Sequence, residues 1–192
     1  CQDASQKVWY GTSANGIIGY DGPLASVKVS ALATTKDGSI WVGSPQNGLT
    51  RIRGGITTYY STASDSTQHA LIDDHINAMI CDSQGNLWIA TEGGLQIYNP
   101  KMNQLSSYTK EQGKIKTNNI TSLFFSKSNK MLMGSSEGLI IMSISTGEMD
   151  HYTGNSTSIQ KFTNSYITQV YEDSRGLIWV GTREGVNVLN LE

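Results

Sequence analysis

Asp82-Ser83-Gln84-Gly85-Asn86-Leu87-Trp88-Ile89-Ala90-Thr91-Glu92-Gly93-Gly94-Leu95 is the stretch on which the fold turns. Asp-x-x-Gly is turn chemistry: Gly tolerates a positive φ, and Asp at the first position hydrogen-bonds forward to the backbone. The apolar run Leu87-Trp88-Ile89 then leads through a connection ending in Gly94 to another apolar residue, Leu95. A short Gly-ended link between apolar runs is what a tight antiparallel strand pair needs. The same string returns at Asp173–Val186.

Stacking the tryptophans shows how far the pattern extends. Val8-Trp9-Tyr10-Gly11-Thr12, Ile40-Trp41-Val42-Gly43-Ser44, Leu87-Trp88-Ile89-Ala90-Thr91, Met131-Leu132-Met133-Gly134-Ser135 and Ile178-Trp179-Val180-Gly181-Thr182 are five copies, separated at the anchor by 32, 47, 44 and 47 residues. Twelve residues upstream of the last four anchors stand Val29, Ile76, Ile120 and Ile167, and five before those stand Leu24, Leu71, Ile115 and Phe162. The intervening turns end in Gly38, Gly85, Asn129 and Gly176. The turns after the anchor end in Gly16, Gly48, Gly94, Gly138 and Gly185, and Tyr60, Tyr108 and Tyr152 close a further strand.

Each full unit therefore reads as four antiparallel strands, expected in the third unit near 76–81, 86–91, 94–98 and 104–108. Four-stranded units of roughly 40–45 residues describe β-propeller blades; a β-solenoid has a shorter period and lacks the two-hairpin layout. The expected architecture is all-β, about four blades plus a partial N-terminal blade, a segment of a larger propeller. The blades fall at 1–23 (partial), 24–70, 71–114, 115–161 and 162–192, the last without its fourth strand. One anchor per blade reads Trp9, Trp41, Trp88, Leu132 and Trp179 as inter-blade core, since sugar-stacking tryptophans would be placed irregularly.

Composition agrees with strands. Charged residues make up 16% of the 192-residue chain, Gly reaches 20, Pro stays at 3, and the formal charge is -2. Such a balance gives no general attraction to phosphate backbones or anionic lipid, so no nucleic-acid partner is expected. Nothing approaches a membrane-spanning apolar run. Cys81 reads as a small core residue, and Cys1 fits either a lipidated mature terminus or an arbitrary start.

The string Asp-x-x-Gly-x-Leu-Trp-Ile-Gly-Thr-x-x-Gly-Leu, matched by Asp82–Leu95 and Asp173–Val186, resembles the two-component regulator propeller repeat. The resemblance implies a periplasmic or extracytoplasmic sensor region, membrane-tethered in a hybrid two-component parent that carries a histidine kinase, and responsive to oligosaccharides. The fourth copy departs most, with Leu132 for Trp, Ser126 for Asp and Asn129 for Gly, changes that keep size and turn geometry.

Catalytic constellations are scarce. His69, His75 and His151 show no zinc spacing, and there is no nucleophile elbow or phosphate-cradling loop, so no cofactor, metal or catalytic set is expected. Asp37, Asp82 and Asp173 occupy repeat-determined turns and read as turn formers. Propellers bind ligands where loops leading into the first strand meet those joining strands two and three. The long lead-in loops are Ser61–Asp74, Thr109–Asn119 and Thr153–Ser165, rich in groups that suit sugar hydroxyls. Residues there that break the repeat are the candidates: Asp73, Asp74, His75 and Asn118 on lead-in loops, and Gln46, Glu92, Arg183 and Glu184 on the short turns. Arg183 is suited to a carboxylate.

The expected function is ligand sensing passed on by domain or dimer rearrangement, with self-association through open blade edges. Two alternatives remain: a lyase-like propeller enzyme, for which His75 with Asp73 or Asp74 is the local candidate, and a surface lipoprotein docking module.

Overall fold

The computed structural model describes residues 1–3, 6–18, 24, 27–64, 70–153 and 162–190, which fall into two compact units, 1–108 and 109–192. Unit 1 opens with a ribbon of β1 (Tyr10–Gly11) and β2 (Ile17–Ile18). A sheet of β3 (Ala31–Thr34), β4 (Ile40–Gly43), β5 (Leu49–Arg53) and β6 (Ile56–Tyr60) follows, then one of β7 (Ile76–Cys81), β8 (Leu87–Thr91), β9 (Leu95–Asn99) and β10 (Gln104–Tyr108). Unit 2 holds the sheet β11 (Ile120–Phe125), β12 (Lys130–Ser135), β13 (Gly138–Ser143) and β14 (Met149–Tyr152), and a three-stranded sheet of β15 (Ile167–Glu172), β16 (Ile178–Thr182) and β17 (Gly185–Leu189).

All named strands pair antiparallel with their chain neighbours, so each sheet is a blade made of successive hairpins. The third repeat's strands lie within a residue of their expected bounds. Turn chemistry places them: Gly38, Gly85 and Gly176 take φ of 78°, 91° and 84°, and Asn129 takes 58° in the same position. Among the described residues there is no helix.

Trp9, Trp41 and Leu132 lie between sheets of their own unit. In unit 1, Trp41 packs with Leu49 and Tyr60 of its own sheet and with Ile76, Leu87 and Tyr98 of the next. In unit 2, Leu132 and Leu139 meet Ile167, Val170 and Ile178. Trp9, Trp41 and Trp88 are buried, whereas Trp179 is 38% exposed, because no described sheet of unit 2 covers that face of β16. The lead-in residues Leu24, Leu71, Ile115 and Phe162 are buried as well. Cys81 departs from its expected core position, being only half-buried at the end of β7 with its thiol on the Asp82 carbonyl at 3.6 Å.

Blades join through a recurring plug and socket. A side chain at Gly43 would bring its Cβ within 2.5 Å of Ile76 Cγ2, and one at Gly134 within 2.7 Å of Ile167 Cγ2, so the small residue two after the anchor receives the branched residue that opens the next blade. Backbone bonds repeat beside it: Val29 N–H donates to Thr12 O at 2.9 Å and Ile76 N–H to Ser44 O at 3.0 Å. The register shifts immediately after Ile76, Ile120 and Ile167, one bulge at the start of β7, β11 and β15. A bulge turns the extra residue out of the ladder. Thr121 turns that freedom towards the neighbouring blade, its hydroxyl donating to Ile167 O at 2.6 Å, and the Ser30 hydroxyl makes the matching bond to Ile76 O without a bulge.

Candidate functional site

The turn aspartates are structural, and their partner is the anchor itself. Trp88 Nε1 donates to Asp82 Oδ2 at 3.0 Å, Trp179 to Asp173 Oδ2 at 3.1 Å and Trp9 to Asp3 Oδ2 at 2.8 Å. The other carboxylate oxygen caps turn N–H groups, as Asp82 Oδ1 does for Gln84 and Asn86. In blade 2, Thr35 Oγ1 takes the indole of Trp41 at 3.1 Å. Hydrogen bonds from Arg175 and Trp179 hold the Asp173 carboxyl well below the usual carboxylate range. Among the described residues no cluster of His, Cys, Asp and Glu suits a metal ion.

In unit 1 the lead-in loop of the second full blade converges on the short turns. Gly48 N–H donates to Asp74 O at 3.1 Å, which brings the Gln46 turn against it, and the Glu92–Gly93 turn packs on Asp73, whose Cβ would lie 2.8 Å from a side chain at Gly93. Asp73, Asp74, His75, Glu92 and the Gln46 turn therefore share one end of the unit. Their roles differ. Asp74 is consumed by the loop, accepting Thr62 N–H and Thr62 Oγ1–H, each at 2.8 Å. Asp73 Oδ1 accepts the His75 N–H at 2.6 Å and lies 3.2 Å from His75 Nδ1, while the imidazole stays half-exposed. Gln46 and Glu92 are exposed, with no side-chain partner among the described residues. Residues 65–69 of this loop, with His69, lie outside the described residues.

In unit 2, Asn118 does for its loop what Asp74 does in unit 1. It accepts the Lys110 N–H at 2.7 Å and donates to both oxygens of Glu111 at 3.0 Å, which lowers the Glu111 pKa. Arg183 stacks on Tyr166, its guanidinium 3.7 Å from the ring centroid, and Glu184 is exposed beside it. Tyr166 was missed from the sequence. Its position one before Ile167 matches His75 and Asn119, so the same repeat-breaking test applied one residue further along finds it. Residues 154–161 of the third long loop lie outside the described residues.

A second group that breaks the repeat lies inside unit 1. Arg51 on β5 stands where the other blades carry Ile97, Ile141 and Val188. Its guanidinium donates to Asp37 Oδ2 at 2.6 Å, Ser39 Oγ at 2.8 Å and Tyr98 Oη at 3.3 Å, and stacks over Trp41. Burial pushes the Asp37 carboxyl up, but hydrogen bonds from Thr35, Ser39 and Arg51 outweigh it and hold the pKa at about 2. Trp41, Tyr60 and Tyr98 enclose this pair, with ring centroids 4.9–6.0 Å apart. It is a strut across two blades, with Asp37 at 22% side-chain exposure.

Among the described residues, two clefts lie at the other end of the blades, between the hairpins joining first and second strands. One in unit 1, about 510 Å³, is lined by Asp37, Arg53, Gln84 and Lys101 among others. One in unit 2, about 460 Å³, lies between the 126–130 and 172–178 segments. In each, a lysine of the leading hairpin bonds the following one: Lys36 Nζ donates to Ser83 O, and Lys127 Nζ to Asp173 O and Ser174 O at 3.2 and 3.0 Å.

Antiparallel four-stranded sheets joined inner strand to inner strand by a repeated plug and socket define a β-propeller of blade-type repeats. Residues 70–93 and 161–184 match the Two component regulator propeller family model. Among solved structures, it is similar over 100% of its length to an extracellular domain named for a hybrid two component system of B. thetaiotaomicron, at TM-score 0.78 and 19% identity. A second such B. thetaiotaomicron domain matches 94% of the chain at TM-score 0.51 and 20% identity. The chain spans less than a third of each, 28% and 29%. Virginiamycin B lyase from Staphylococcus aureus matches 85% of the chain and 55% of its own length, at TM-score 0.60 and 12% identity. No curated protein matches.

Proposed function

We propose that this chain is the ligand-sensing propeller of an extracytoplasmic two-component signalling protein, non-catalytic itself, which binds an oligosaccharide at the lead-in end and passes the change on by rearrangement of domains or of a dimer. The observation that carries the reading is the match of two of its repeats to the two component regulator propeller family. The likeness to extracellular domains of hybrid two component systems supports it. The chemistry at that end is compatible: Arg183 on Tyr166 offers a cation beside an aromatic face, and Gln46 and Glu92 offer a donor and acceptors for hydroxyl groups.

Titration calorimetry against plant and host oligosaccharides tests it. The expected result is saturable heat with at least one glycan, weakened at least tenfold by Arg183→Ala or Glu92→Ala. Failure to bind across the panel overturns the saccharide reading in favour of docking.

One observation favours an enzyme. Asp73 lies 3.2 Å from His75 Nδ1, which is how a carboxylate orients an imidazole for proton transfer, and a lyase is among the structural neighbours. Turnover of any glycan, or of quinupristin, the compound named with that lyase, that disappears in His75→Ala would establish that reading.

A further inference from the structure

Blades 3 and 5 tie down their lead-in loops with a side-chain amide, and blade 4 does not. Two residues after the turn glycine, Gln96 Oε1 accepts the Ile72 N–H at 3.1 Å while its Nε2 donates to Ser107 Oγ at 3.2 Å. In blade 5, Asn187 Oδ1 accepts the Thr163 N–H at 3.1 Å and its Nδ2 donates to Thr163 Oγ1 at 3.1 Å. Ile72 and Thr163 each follow the buried lead-in residue, Leu71 or Phe162. The equivalent places in blade 4 hold Ile140, which has no amide, and Lys116, which follows Ile115. Across the ladder from Ile140, as Ser107 is from Gln96, stands His151.

What the amide satisfies elsewhere is left unmet in blade 4. The Lys116 N–H has no acceptor among the described residues, its ammonium has no ion pair there, and the His151 imidazole has no hydrogen bond. A pocket of about 70 Å³ lies at this place, lined by Lys116, Ile140, His151 and Glu137 among others. Ile140 belongs to the core, but Lys116 is exposed and His151 partly so, and solvent reaches both. Burial, and after it the Lys116 charge, hold the His151 pKa below its ordinary value, with Asp150 opposing them less strongly, so the two basic groups are within electrostatic reach of each other. Glu137 is exposed at the rim and forms no ion pair among the described residues. A single water needs roughly 10–15 Å³, so about 70 Å³ admits a carboxylate-sized group and excludes a whole sugar ring.

We propose that this pocket takes the carboxylate of an acidic sugar, held by the Lys116 N–H and ammonium and by the His151 imidazole, so that the lead-in end of unit 2 selects uronates over neutral glycans. This rests on the reading of that end as a saccharide site and names the class of sugar. The donors converge without an acceptor of their own, and an ionised carboxylate makes the stronger hydrogen bonds with such donors.

Calorimetry on the full chain with trigalacturonate and its neutral counterpart galactotriose tests the selection, and NMR of the His151 ring with galacturonate alone tests the pocket. Trigalacturonate is expected to bind roughly tenfold tighter than galactotriose. Lys116→Ile and His151→Ser, which install the residues of blade 3 outside the core, should each remove most of that preference and leave galactotriose unaffected. Ile140→Gln returns the amide and should abolish the preference, whereas Glu137→Gln, which takes a repelling carboxylate from the rim, should enlarge it. Galacturonate should move the His151 ring resonances saturably and raise the pH at which they titrate, because a bound carboxylate favours the imidazolium. Unmoved His151 resonances, equal affinity for the two trimers, or an unchanged preference in both Lys116→Ile and His151→Ser overturns the proposal. If galacturonate moves His151 while neither trimer binds, the pocket stands and the oligosaccharide reading of the lead-in end fails.

Discussion

Asp82 and Trp88 are bound to each other across six residues of chain, indole N–H to carboxylate, and in blade 4 both members of the pair have changed together, to Ser126 and Leu132. A buried indole N–H without an acceptor costs about 1–3 kcal/mol, and where blade 2 lacks the aspartate, Thr35 Oγ1 supplies the acceptor.

Asp82→Ala is therefore expected to destabilise the fold by about 1–3 kcal/mol through the lost acceptor and turn cap together. In the Trp88→Leu background the same change should cost less, leaving a coupling of about 0.5–3 kcal/mol in a double-mutant cycle followed by urea unfolding. Strict additivity would refute the pairing.

Gly43→Ala places a methyl group against the Ile76 side chain and should cost about 1–3 kcal/mol. Ile76→Ala would restore room, so the double variant should be less destabilised than the sum of the two single changes. Thermal unfolding of all four proteins reads this directly. Gly181 meets no plug in the equivalent place, its nearest contact being Thr168 Oγ1 at 3.3 Å, and Gly181→Ala should cost less than Gly43→Ala.

The half-buried strut makes the fold acid-sensitive. The Asp37 carboxyl titrates at about 2 in the folded chain, below its ordinary value, so the folded state holds fewer protons than the unfolded one between about pH 4 and pH 2. Its contribution is complete above that window and is lost as pH falls through it. Asp37→Asn should flatten the Tm profile between pH 2 and 4 and lower Tm at neutral pH; an unchanged acid limb would count against the strut.

Tyr60 predicts the alkaline limb. Burial, and after it the neighbouring Tyr98, push its phenol up to about 12. With the folded pKa raised above the unfolded value, its contribution is whole below about pH 10 and disappears as pH rises towards 12. Tyr60→Phe should remove that loss, seen as a shallower fall in Tm between pH 10 and 12.

The spacing of the anchors and turn glycines made the blades legible, because hairpin geometry is local and Gly38, Gly85 and Asn129 each set φ by themselves. The candidate end was legible in outline: Asp73, His75 and Glu92 do meet in unit 1, and Arg183 stands beside an aromatic ring. What escaped depended on partners distant in the chain. Asp74 and Asn118 break the repeat in residue type while doing one structural job, tying each long loop to its own start through Thr62 and Lys110. Arg51 reads as an ordinary strand residue until Tyr98, 47 positions on, supplies the far end of the strut.

The plug and socket at Gly43–Ile76 and Gly134–Ile167 also bears on how such a chain can lengthen. Each full repeat carries its socket after the anchor and its plug at the opening strand, so every interior repeat is compatible with either neighbour. Duplicating or deleting a whole repeat recreates the same junction, whereas a change of a few residues inside one would offset plug from socket. Viable length variants should therefore differ in whole-repeat steps, like the 44 and 47 residues that separate the later anchors, which makes the repeat, rather than the strand or the hairpin, the unit of inheritance.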